Sequence, residues 1–192
     1  MNTRLSGMRL AGGVAAASVV LGFLTTAPLA VSTASHSTPP TRGAVSAVRC
    51  TAPALPGRVV DVTVSDMGPG MMNGGPRWYG MRLTARPAAV PTGPVSLRVL
   101  NAGHLTHEVV VLPLPAAQAV GDRSIGTDGR VDESGSLGEA SRSCGAGTGG
   151  GIAPGTAAWV TLTLRPGRYE LVCNLPGHYA AGARTELDVA SR

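Results

Sequence analysis

From residue 58 onward, apolar and polar side chains alternate in short runs. Val60, Val62 and Val64 interleave with Asp61 and Thr63, and Leu162 and Leu164 alternate with Thr161 and Thr163. A period of two sends every second side chain to one face of a sheet, so these runs predict strands buried on one side. Gly and Pro separate the runs, as turns between strands require. The expected strands are residues 58–65, 78–85, 94–101, 108–112, 158–164, 168–172 and 184–189. About seven short strands, with no amphipathic helix to compete, predict an all-β domain built as a Greek-key sandwich or barrel.

Two stretches break the pattern. Residues 66–77 (DMGPGMMNGGPR) form a Gly-rich loop that holds Met67, Met71 and Met72. Residues 121–157 contain 11 Gly and few apolar positions. Loops of that length are usually functional or disordered; a short helix is expected inside this one at 138–143.

Arg4 and Arg9 precede an uncharged, largely apolar run from 10 to 31, the order of a secretory signal. Ser32 and Ala34 suit a signal peptidase. The run is also long enough for a bilayer span, which takes about 20 apolar residues. Residues 1–34 are therefore expected to be a signal peptide or an N-terminal anchor. Residues 35–57, rich in Ser, Thr, Pro and Ala, read as a flexible linker, and 58–192 as the domain. Either way the domain is expected outside the cytoplasm, secreted or in the cell envelope, touching a membrane only through an uncleaved anchor.

The net charge is +5, and every basic residue is Arg. These arginines are scattered and form no stripe, so the charge predicts no nucleic-acid partner. The Ser-rich segment 134–143 has no neighbouring His, and the glycines of 145–151 lack the Lys and the strand-to-helix setting of a phosphate cradle. Asp132 and Glu133 read as solvated loop residues. No catalytic constellation emerges, and a monomer that is not an enzyme is expected.

Three cysteines in an oxidising compartment leave one over after pairing. The odd one needs an intermolecular bridge, a reactive role or a metal. A bridge between Cys50 and Cys144 would fasten the linker and the long loop to the domain and leave Cys173 free, although the sequence alone leaves the pairing open. Cys173 ends a strand, and His178 follows across Asn174-Leu175-Pro176-Gly177, where Pro and Gly force a turn. A thiolate and an imidazole on one tight loop suit a soft or borderline metal, and a second His would complete the His₂Cys set of blue-copper sites. His107, opening a strand after an Asn-Ala-Gly turn, is placed to do so. His104 precedes the strand and reads as a solvated turn histidine, while His36 belongs to the N-terminal region.

The segments NAGHLTHEVVV (101–111) and CNLPGHYAAG (173–182) resemble the two copper-ligand segments of the cupredoxin family, in particular its sulfocyanin and plastocyanin-like group. The likeness runs over residues 58–190, and the C-x₂-P-G-H-x₃-G pattern is fairly specific after a strand. It implies His107, Cys173 and His178 as equatorial ligands of copper cycling between Cu²⁺ and Cu⁺, with Asn101 and Glu108 supporting them. It also implies a redox partner protein or a copper donor. One departure stands out, because similar sequences commonly carry Met where this chain has Ala183. The site is then three-coordinate, or takes an axial donor from Met67, Met71 or Met72, or has lost its copper function. The expected function is a one-electron carrier. The alternatives are a copper-binding or delivery module that uses the Met-rich loop, and a domain that kept the fold without the metal.

Overall fold

The computed structural model describes residues 50–66 and 80–191. The expected export segment, nearly all of the expected linker, His36, Met67, Met71, Met72, Trp78 and Tyr79 lie outside the described residues. Among the described residues nine strands follow in order: β1 (Arg58–Asp66), β2 (Met81–Arg86), β3 (Ala89–Pro91), β4 (Gly93–Asn101), β5 (Val109–Leu114), β6 (Gly138–Ala140), β7 (Ala157–Leu164), β8 (Gly167–Val172) and β9 (Arg184–Ala190). They build two sheets, one ordered β2-β1-β4-β7 and the other β3-β9-β8-β5-β6. Each sheet is mixed: β1 runs parallel to β4 and β3 parallel to β9, while the other pairs are antiparallel. Among the described residues no helix is long and apolar enough to cross a membrane.

The alternation seen in the chain is what makes this a sandwich. Val60, Val62 and Val64 of β1, and Val95, Leu97 and Val99 of β4, turn inward and are buried. They meet Val109, Val111, Leu171 and Leu187 from the second sheet in one core. Burying each such side chain stabilises the fold by about 1.5–3 kcal/mol. β5 differs, since Val109 to Leu112 are all buried. Its outer face is covered too: Val110 and Leu112 pack with Val131, Val172 and Tyr179 in a second cluster. The long loop after β5 therefore folds back over the sheet, and a strand covered on both faces reads as a continuous apolar run.

Two expectations about this loop are corrected. The helix expected at 138–143 is absent; Gly138 has φ +142°, far from helical values, and residues 138–140 pair with β5 as β6. Glu133, read as solvated, accepts a hydrogen bond from the Asn174 side chain at 2.6 Å. A disulfide joins Cys50 to Cys144 across 94 residues, with their Cα atoms 5.1 Å apart. In the chain-entropy account, closing such a loop stabilises the folded state by about 4–5 kcal/mol. Cys173 is a free, buried thiol.

Candidate metal centre

Antiparallel pairing of β5 with β8 matches Val110 to Val172, so the start of β5 and the end of β8 meet at one pole of the sandwich. His107 lies two residues before β5. Its backbone is held in a two-way bridge to Ile152 of the long loop, His107 N–H donating to Ile152 (3.1 Å) and Ile152 N–H to His107 (2.6 Å). Cys173 directly follows β8 and donates its N–H to Ala183 at 2.9 Å, extending the β8–β9 hairpin by one rung.

Between those residues the chain makes consecutive turns. His178 N–H donates to Leu175, Ala181 to Gly177 and Gly182 to Tyr179, each at 3.0 Å, and Ala183 to His178 at 3.1 Å. The path depends on Gly182, whose φ is +104° and where a Cβ would lie 2.8 Å from the Met81 carbonyl oxygen.

These elements bring three donor atoms together. Cys173 Sγ lies 3.6 Å from His107 Nδ1 and 3.3 Å from His178 Nδ1, and the two Nδ1 atoms are 3.2 Å apart. The imidazoles meet edge to face, their planes 62° apart. A triangle with these sides has a central point roughly 2 Å from every corner, close to the metal–nitrogen (about 2.0–2.1 Å) and metal–sulfur (about 2.3 Å) distances of such ligands. One sulfur and two imidazole nitrogens form a donor set for a soft or borderline transition metal. The residues present fit such an ion.

Hydrogen bonding decides which nitrogen of His107 is free. Asp66, the last residue of β1, has Oδ1 2.9 Å from His107 Nε2. A carboxylate accepts, so Nε2 carries the proton and Nδ1 presents its lone pair to the cluster. Asp66 also accepts from the backbone N–H groups of His104 (2.8 Å) and Leu105 (3.0 Å). Burial would raise its pKa, but the Leu105, His107 and His104 hydrogen bonds outweigh that and hold it at about 2. Around the sulfur the balance is opposite. Burial pushes the Cys173 thiol up to about 11, against hydrogen bonds from the backbone of Glu108 and Leu175. His178 is pulled below its ordinary value by burial and then by the neighbouring His107. Burial, reinforced by the charges of Glu139 and Glu133, takes Glu108 up to about 7.

His107 and Cys173 are fully buried, whereas His178 is half-buried and is the one member of the cluster that reaches the surface. His104 is 78% exposed and turns away from the cluster, 3.6 Å from Asp66. Asn101 braces the turn before His107, its side-chain NH₂ donating to Leu105 and Ile152 and its oxygen accepting from Gly103. Glu108 contributes its backbone N–H, 3.4 Å from Cys173 Sγ. The Ala183 side chain is fully buried.

Three supports escaped the sequence reading. Asp66 is one. Asn174 is another, exchanging hydrogen bonds with both backbone groups of Val131 and so tying the long loop to the Cys–His loop. The third is Glu170, buried on β8, which accepts from Gly121 N–H, Arg123 Nε and the hydroxyl of Tyr179, the neighbour of His178. None of the three carried a signal in the sequence, since each acts through residues that are distant along the chain.

Two packed mixed sheets form an all-β, cupredoxin-like fold, with a His-Cys-His cluster between the start of β5 and the β8–β9 loop. Among solved structures, reduced auracyanin from the photosynthetic bacterium Roseiflexus castenholzii is similar at 20% identity over 70% of this chain and 99% of its own, with a TM-score of 0.42. Rusticyanin from Thiobacillus ferrooxidans is similar at 22% identity over 70% of this chain and 79% of its own, with a TM-score of 0.39. Rusticyanin is a copper protein. No protein-family model matches the sequence, and no curated protein matches it.

Proposed function

We propose that the protein is an extracytoplasmic one-electron carrier, not an enzyme, in which His107, Cys173 and His178 hold copper. The observation that carries this reading is the convergence of one thiol sulfur and two imidazole Nδ1 atoms within 3.2–3.6 Å, one imidazole already fixed by a carboxylate. Copper bound there would supply the Cu(II)/Cu(I) couple. The chain's part is to keep the donors still. Two sheets and a disulfide hold the segments that carry them, and burial keeps water from His107 and Cys173. His178, half-buried, offers a partner protein the shortest route to the centre. Residues 1–34 serve export or anchoring, 35–57 a linker, and 58–192 the carrier domain. In this reading Ala183 leaves the site without the usual axial Met.

Titrating the metal-free protein with Cu(II) tests the reading. An intense visible thiolate-to-copper absorption is expected, lost on reduction and absent from Cys173→Ser, which keeps the fold because the side-chain volume hardly changes. A wild-type protein that stays colourless with Cu(II) would refute the carrier reading. A colourless protein that takes up Cu(I) tightly would favour copper delivery instead.

A further inference from the structure

Asp66 is not one of the expected ligands, yet among the described residues it is the charged side chain that hydrogen-bonds directly to a member of the cluster. Its side chain is 7% exposed and that of His107 is 0% exposed, so the 2.9 Å contact between them is shielded from water. The parallel pairing of β1 with β4 sets Val64 opposite Asn101, and Ala102 N–H donates to Val64 at 2.9 Å. The end of β1 is thereby aimed at the turn that leads into His107. Gly103 clears the space, since a Cβ there would overlap the Asp66 carboxylate. One oxygen, Oδ1, then takes three N–H groups: those of His104, of Leu105 and of the His107 ring.

We propose that Asp66 is the positioning residue of the metal centre: its carboxylate locks His107 in the Nε2–H tautomer, and its negative charge biases the site toward the oxidised metal ion. This rests on the copper reading for its second half only; the tautomer is a property of the metal-free chain. A carboxylate on the outer nitrogen makes the inner one a stronger donor, and partners of this kind are worth about 10–100-fold in metal affinity. Its charge lies one imidazole away from the ion and attracts Cu(II) more than Cu(I), as an axial donor would. Such a charge would offset Ala183.

Two variants separate the parts. Asp66→Asn keeps an oxygen in the place of Oδ1, the acceptor of the His107 ring, and so keeps the tautomer, but loses the charge and the 3.0 Å contact of Oδ2 with His104 N–H. Asp66→Ala loses both the tautomer lock and the charge. In the metal-free wild type, ¹⁵N shifts of His107 should show a single tautomer protonated at Nε2. Asp66→Asn should retain it, and Asp66→Ala should give a mixture. With copper, Asp66→Asn should lose about tenfold more affinity for Cu(II) than for Cu(I), which raises the reduction potential by about 59 mV. A wild-type His107 protonated at Nδ1, or an unchanged potential in Asp66→Asn, overturns the proposal even if the protein is a coloured copper carrier. Should either variant fail to fold, the wild type still decides the tautomer: a His107 Nε2–H that exchanges freely with solvent overturns it. A colourless wild type with the Nε2–H tautomer defeats the copper reading instead, and with it the charge half of the proposal.

Discussion

Replacing Glu170 by glutamine preserves its volume and removes a charge that no water reaches. Glu170 is 0% exposed, and its Oε2 lies 2.6 Å from Arg123 Nε. Its Oε1 accepts from Gly121 N–H at 2.8 Å and from the Tyr179 hydroxyl at 3.0 Å. A glutamine offers only one oxygen, so whichever way the amide faces, its NH₂ confronts another donor. Losing one member of a buried ion pair costs about 3–5 kcal/mol. Arg123 is 17% exposed and also donates to the Pro113 carbonyl at 2.6 Å, so it keeps part of its solvation and the loss falls near the lower end, about 3 kcal/mol. For a chain of this length each kcal/mol moves the unfolding midpoint by about 2–4 °C, which gives a drop of about 6–12 °C. Thermal unfolding of the metal-free protein, followed by calorimetry, measures it. Tyr179→Phe removes a single hydroxyl and should cost only about 1 kcal/mol. A cycle pairing Glu170→Gln with Arg123→Met should show coupling above about 1 kcal/mol. A drop of less than about 2 °C in Glu170→Gln, equivalent to no more than about 1 kcal/mol, or a larger effect from Tyr179→Phe, would show that the carboxylate is not the centre of this network.

On the proposed copper reading, Ala183→Met should supply an axial thioether and lower the reduction potential; about 59 mV corresponds to a tenfold shift in favour of Cu(II), read by redox titration. Because Ala183 is fully buried, the same change should cost about 1–3 kcal/mol in the metal-free protein through overpacking. Removing the bridge with Cys50→Ser and Cys144→Ser together should lower stability by about 2–5 kcal/mol without abolishing metal binding, as denaturant melts and the visible spectrum would report. With the Cys173 thiol held up at about 11, the metal-free site is protonated at neutral pH, so metal uptake releases that proton. Apparent affinity should therefore rise with pH, by up to about tenfold per unit, in competition titrations against a chelator; a pH-independent affinity would mean the thiolate is not a ligand.

Strands whose inner face alone is buried were legible along the chain, because β1, β4 and β7 each show alternation that burial then follows. The short strands were not. β3 has only three residues, and β6 (Gly-Glu-Ala) has no pattern of its own and forms because the returning loop lies along the edge of β5. The same loop explains why Glu170 escaped notice: its cover comes from Gly121 and Arg123, some 50 positions away in the chain. His107, Cys173 and His178 stood out because two of them share one tight turn and the third follows a marked one. Asp66 did not, since its link to His107 depends on the parallel register of β1 with β4, which local spacing does not encode.

The bridge between Cys50 and Cys144 also alters what one break in the main chain can do. Residues 124–128 are exposed and lie inside the ring that the bridge closes, with Arg123 and Arg130 on either side. A trypsin-like protease cutting there would leave His107 on one fragment and Cys173 and His178 on the other. The disulfide would still hold the two pieces as one molecule, separable only by a reductant, and β5 would still be zipped to β8 across the cut. The cluster could thus outlast the continuity of the polypeptide that built it.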